Sequence, residues 1–116
     1  MRLMITFTHI DGEWGRLGDE GRRALRDWHR AFRAQLRSEQ GAEMVNFAPR
    51  DQARTVRLLA DGQFRVDDGP FQHGVESAGG YFIVDVDSLD ETVAWARRGR
   101  FMPGACEVRE LVEAQM

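Results

Sequence analysis

At the start of the chain Leu3, Ile5 and Phe7 alternate with Arg2, Thr6 and Thr8, the period of two that marks a half-buried strand. Met4 interrupts the pattern only mildly. His9 to Gly15 then reads as a loop with polar groups and one large aromatic, Trp14. From about Asp19 to Gln40 the period becomes helical: Leu25, Trp28, Phe32 and Leu36 form one apolar stripe. Asp19 and Glu20 suit the positive N-terminal end of that helix, and Gly41 stands at its C′ position. Arg22, Arg26, Arg30, Arg33 and Arg37 form a second stripe, and His29 falls between the two, nearer the apolar one. That places its imidazole at the edge of the core, within reach of a pocket.

Glu43 to Phe47 predicts a short strand ended by Ala48-Pro49-Arg50-Asp51. Thr55–Leu58 and Phe64–Val66 flank Asp61-Gly62, the signal of a two-residue hairpin turn. Asp67-Asp68-Gly69-Pro70-Phe71 follows, an acidic run meeting a strong local breaker and then an aromatic. After a polar loop, Gly79-Gly80 opens a strand from Tyr81 to Asp87 with Phe82, Val84 and Val86 on one face. Ser88 and Glu91 have capping-box spacing. The helix behind them is expected to bury Leu89, Val93 and Ala96, with Trp95 at the margin and Gly99 as its stop. Met102-Pro103-Gly104 turns the chain into a last strand, Cys106–Arg109.

This order predicts a single α+β domain over residues 1–116, the ferredoxin-like β-α-β-β-α-β plan with an added β-hairpin. Such a sheet carries helices on one face. Its other face needs a cover, and a second copy of the chain is the simplest one, so a homodimer is expected.

Composition narrows the function classes. Hydrophobic content of 42% and charged content of 30% are those of a soluble globular protein. The apolar runs are too short to span a membrane, and the N-terminus reads as a strand rather than a signal peptide. Cys106 is the one cysteine, which excludes an intrachain disulfide and a cysteine-based metal cluster and fits a cytoplasmic protein. A net charge of −3 gives no push toward nucleic acid or anionic membrane. There is no lysine, hence no lysine Schiff base and no P-loop lysine. The arginine stripe is diluted by Glu20, Asp27 and Glu39 and lacks interleaved aromatics, so it reads as a solvated face. His9, His29 and His73 have no metal-ligand spacing, and neither a metal nor a cofactor is expected.

The Asp68-Gly69-Pro70-Phe71 block, seven residues, and then Gly79-Gly80-Tyr81-Phe82 resemble the YCII-related (DGPF-domain) family. So do the Ser88-Leu89-Asp90-Glu91 helix start, the closing Gly104–Arg109 and the helix carrying His29, Phe32, Leu36 and Gly41. The resemblance implies a ferredoxin-like subunit pairing into a dimeric α+β barrel. Some relatives are dehydrochlorinase-like enzymes proposed to use a His-Asp pair, and others accompany extracytoplasmic-function sigma factors. The chain departs from the family's usual Ala-Glu-Thr-Lys-Glu loop, having Gln72-His73-Gly74-Val75-Glu76. It also has Thr8-His9 at the end of strand one and Glu110 where relatives have a proline.

His29 is the candidate acid or base, since an unperturbed imidazole titrates near pH 6.5 and a carboxylate would orient its tautomer. Asp68 is the first choice of partner and Asp11, at the end of the first strand, the rival. Asp68 has a competing reading as a turn residue, its carboxylate accepting backbone N–H bonds. Phe71 is either a loop anchor or the wall of an apolar pocket. His9, Phe71 and His73 make up the candidate substrate-binding set. The function expected is a dimer that binds a small aromatic or apolar molecule, with cofactor-free lyase- or isomerase-like chemistry. The alternative is a non-catalytic regulatory module linked to sigma-factor-dependent transcription.

Overall fold

In a computed structural model that describes residues 1–72, 74–98 and 104–114, the N-terminal alternation folds as strand β1 (Arg2–Ile10). Its Leu3, Ile5 and Phe7 are buried. Strand β5 (Glu76–Asp85) lies antiparallel on one side of β1 and β6 (Cys106–Glu110) on the other. The two-residue β2 (Val45–Asn46) adds to the outer side of β5, giving the order β2-β5-β1-β6. Leu3 stands opposite Val84 and Ile5 opposite Phe82, so their side chains share one face.

The helices pack on that face. Helix α2 (Gly18–Gln40) contributes Phe32 and Leu36, and α3 (Leu89–Arg98) contributes Thr92 and Trp95. Phe32 is the hub: its ring stacks on Trp28 at 5.3 Å and meets Phe82 and Trp95 edge-on at 5.6 and 6.2 Å. Each fully buried apolar side chain here contributes roughly 1.5–3 kcal/mol. The arrangement is mixed α+β with an antiparallel sheet, consistent with the ferredoxin-like plan. No described helix is long and apolar enough to cross a membrane.

Several local expectations hold. Gly41 ends α2 in the left-handed conformation, its N–H donating to the Arg37 carbonyl at 2.9 Å. At the start of α3 the Glu91 N–H donates to Ser88 Oγ, and the Glu91 carboxylate accepts from the Asp87 N–H at 2.7 Å. Other expectations are corrected. The stretch after β1 holds a short helix, α1 (Glu13–Arg16), with an ion pair between its first and last residues. Helix α3 is rotated from the expected face: Leu89 and Val93 are exposed, while Thr92 and Trp95 are buried. Trp95 turns inward to reach Phe32, and the Arg98 guanidinium covers it at 4.0 Å. Gly99, Met102 and Pro103 lie outside the described residues.

The hairpin is longer and differently turned than predicted, with β3 (Arg54–Leu58) paired to β4 (Phe64–Asp68). The Leu59 N–H donates to the Gln63 carbonyl and the Gly62 N–H to the Leu59 carbonyl. That encloses a loop of Ala60, Asp61 and Gly62 in which Gly62 has φ 86°. A two-residue type I′ turn would need φ > 0 at Asp61 too, and no described non-glycine residue adopts it. The hairpin forms its own two-stranded sheet. The Cα radius of gyration is 16.4 Å, against about 13 Å for a compact chain of this length.

Strand β5 begins at Glu76, so Gly79 and Gly80 lie inside it. The register slips between Phe7 and Thr8, leaving Gly79 as the extra, bulged residue. A Cβ on Gly80 would collide with the Val45 carbonyl oxygen and come within 2.5 Å of Phe7 Cζ. Gly80→Ala therefore forces two strands and a core ring apart. We expect it to lose on the order of 3 kcal/mol in urea unfolding, at the upper end of overpacking costs. An unchanged midpoint would contradict this packing.

Candidate functional site

The Asp67–Phe71 segment leaves β4 and is tied back by three hydrogen bonds, two to β3 and one to Ala53 just before it. The Gly69 N–H donates to the Ala53 carbonyl at 2.8 Å, Thr55 Oγ1 to the Gly69 carbonyl at 2.8 Å, and Arg57 Nη2 to the Phe71 carbonyl at 3.3 Å. Gly69 turns the chain with φ 93°, which explains a glycine there.

Two clefts meet at this segment. The larger, of about 830 Å³, includes Asp11, Asp51, Asp67 and Asp68 and three arginines, Arg50, Arg57 and Arg65, among its lining residues. The smaller, of about 310 Å³, is more apolar and includes Phe47, Pro49, Ala53, Phe71 and Ala78. Pro49, Arg50, Thr55, Pro70 and Gln72 line both, so the two spaces adjoin.

The structure brings Asp11 and Asp68 to one cleft and Phe71 to its neighbour. Each aspartate has an arginine partner. Asp11 Oδ2 lies 3.4 Å from Arg50 Nη1, and Asp68 Oδ1 lies 3.1 Å from Arg54 Nε, the residue facing it across the hairpin. The Asp68–Arg54 pair is exposed and contributes about 0–1 kcal/mol. His29 sits half-buried on α2 with its ring edge-on to Trp28 at 5.5 Å, and it is not among the described residues lining either cleft. His73 lies outside the described residues.

His9 occupies a place that the sequence alone did not reveal. Its ring lies over Gly79, so that a Cβ there would fall 2.7 Å from the imidazole, and its centroid is 5.9 Å from Phe7. Gly79 thus serves as a flat seat for His9, as Gly80 does for Phe7. Partial removal from water lowers the His9 pKa below its ordinary value. Partial burial pushes the Cys106 thiol pKa up, which disfavours the thiolate. Among the described residues no group of three or more His, Cys, Asp or Glu side chains is placed to hold a metal ion.

Residues that sequence reasoning passed over are Arg50, Arg57, Arg65 and Asp67. The predicted two-residue turn at Asp61-Gly62 would set Arg57 opposite Val66; only the observed three-residue loop sets it opposite Arg65.

An antiparallel sheet with helices on one face and an aspartate-glycine-proline turn beside a charged cleft define a small α+β domain. The chain matches the YCII-related domain family over residues 1–115 and belongs to that family. It is 30% identical over 105 residues to an uncharacterized protein of Rhizobium meliloti (strain 1021), a match covering 88% of this chain and 82% of that one.

The His9 shift has a sign that can be checked. A folded-state pKa below the unfolded value means that the unfolded chain binds the proton more readily. The stabilisation is therefore complete above pH 6.5 and is lost as pH falls through the lowered folded pKa. Urea midpoints of the wild type are expected to drop more between pH 7 and pH 5 than those of His9→Gln. Parallel pH profiles would contradict the assignment.

Proposed function

We propose that this chain works as a homodimer binding a small molecule at the Asp67–Phe71 segment. The reading rests on one observation: a cleft with placed charges adjoins a more apolar one across Pro70. Small-molecule sites are concave, mainly apolar, carry a few convergent polar groups and occupy about 300–1,000 Å³. Phe71, held through its carbonyl by Arg57, is the apolar wall.

A cofactor-free elimination or isomerisation in which His29 exchanges a proton and Asp11 or Asp68 orients it requires the imidazole, which lies outside the lining of both clefts, to move to the bound ligand. Both carboxylates have arginine partners, so either would have to give up that partner to orient the imidazole. Thermal unfolding against a panel of phenolic acids tests the site. A true ligand at one hundred times its Kd stabilises by about 2.7 kcal/mol. Phe71→Ala is expected to abolish that shift, and His29→Ala to keep it while losing turnover. No stabilisation across the panel would remove the small-molecule reading.

The dimer is supported by the faces left open. Met4 stands opposite Ile83 and Thr6 opposite Tyr81 on the sheet face away from the helices. The hairpin turns Val56, Leu58, Phe64 and Val66 to solvent, each 62–69% exposed, and an isolated two-stranded hairpin is marginal in water. A second copy forming the dimeric α+β barrel would cover both. The same outward face favours the second reading, a non-catalytic module that docks on a transcription-factor partner. Light scattering separates them. The wild type is expected as a dimer at micromolar concentration, and Leu58→Glu with Phe64→Glu as a monomer. A wild-type monomer would assign the hairpin face to a different protein.

A further inference from the structure

Arg57 and Arg65 face each other directly across the hairpin. Like charges at that spacing repel, and antiparallel strands usually avoid the pair. The cleft as a whole sets Asp11, Asp51, Asp67 and Asp68 against Arg50, Arg57 and Arg65, but the compensation at this pair itself is thin. One carboxylate oxygen, Asp67 Oδ2, is 3.0 Å from Arg65 Nε and 4.0 Å from Arg57 Nε, so two guanidiniums share one anionic atom. Asp68, the next residue, is engaged by Arg54, and Asp11 by Arg50. Both shared arginines line the larger cleft, with side chains 39% and 56% exposed and therefore within reach of a solute. Each guanidinium carries five N–H donors in a fixed fork. One donor of Arg57 goes to the Phe71 carbonyl, which sets that arginine directly beside the wall of the apolar cleft.

We propose that Arg57 and Arg65 form the anion-binding end of the site, taking the carboxylate or phosphate of a ligand whose apolar part passes Pro70 toward Phe71. Planar guanidiniums suit either oxyanion, because two parallel N–H bonds match its geometry. An incoming anion relieves the cross-strand repulsion that Asp67 only half neutralises. The assignment rests on the small-molecule reading above and adds the charge of its ligand.

Calorimetric titration of the full chain with benzoate, its neutral isostere benzamide, and inorganic phosphate tests it. Benzoate is expected to bind at least tenfold more tightly than benzamide and to weaken as salt rises. Arg65→Gln is expected to lose benzoate affinity at least tenfold. Arg65→Lys keeps the charge without the fork and loses less, which guards against a folding defect in the glutamine variant. Asp67→Asn frees both guanidiniums and is expected to tighten benzoate several-fold, whereas a purely structural Asp67 would weaken every ligand when replaced. Phosphate binding above benzoate would identify the oxyanion as phosphate, and the reverse as carboxylate. Benzamide binding as tightly as benzoate, with Arg65→Gln unchanged, would overturn the anion end and leave the ligand cleft standing. No binding by any of the three would overturn both.

Discussion

The pairing of β1 with β5 is the constraint from which the other contacts follow. Leu3, Ile5 and Phe7 lie opposite Val84, Phe82 and Gly80, and this double row is the floor on which Phe32 and Leu36 of α2 rest. Because side chains alternate, a slip of one residue would turn the whole row to the other face. The register is pinned at one point by size: the Phe7 ring and the Val45 carbonyl occupy the space where residue 80 would carry a Cβ. Strand β6 then takes the free side of β1, and β2 the free side of β5.

The same pinning shapes the candidate site. The bulge at Gly79 sets His9 over a bare backbone, and the Gly79 carbonyl accepts the Phe47 N–H at 2.9 Å. Phe47 and Pro49 are thereby brought to one wall of the smaller cleft, with Phe71 also in its lining. The hairpin contributes in two directions. Thr55, Arg57, Arg65 and Asp67 line the larger cleft, while Val56, Leu58, Phe64 and Val66 are exposed. A ribbon with its polar side toward a cleft and its apolar side toward water is the inverse of ordinary burial. It is economical only when something else meets the apolar side, and that links the binding and assembly readings.

Much of this was legible from local pattern. The period of two in Leu3–Phe7, the helical stripe ending at Leu36, the Gly41 stop and the Ser88–Glu91 box all report interactions within a few residues, and each appears as expected. The errors share a cause. Thr92 and Trp95 displaced Leu89 and Val93 from the core because an aromatic neighbour, Phe32, lies sixty-odd residues away in the chain. Gly79-Gly80 read as a strand opening because the groups that require bare glycines, His9 and Val45, belong to other strands. The candidate site was legible only in part: Phe71, Asp11 and Asp68 line the paired clefts, His29 and His9 do not, and the arginines of the hairpin emerge only once its register is known.

Sequence alone determined the family, the alternation of strands and helices, and the glycine-proline turn, because those follow from backbone chemistry and short-range periodicity. Tertiary structure decided the rest: where β5 begins, which side of α3 is buried, that Asp68 meets Arg54, and that Arg57 and Arg65 share one carboxylate. These depend on distances between residues remote in the chain, and no local pattern encodes a distance.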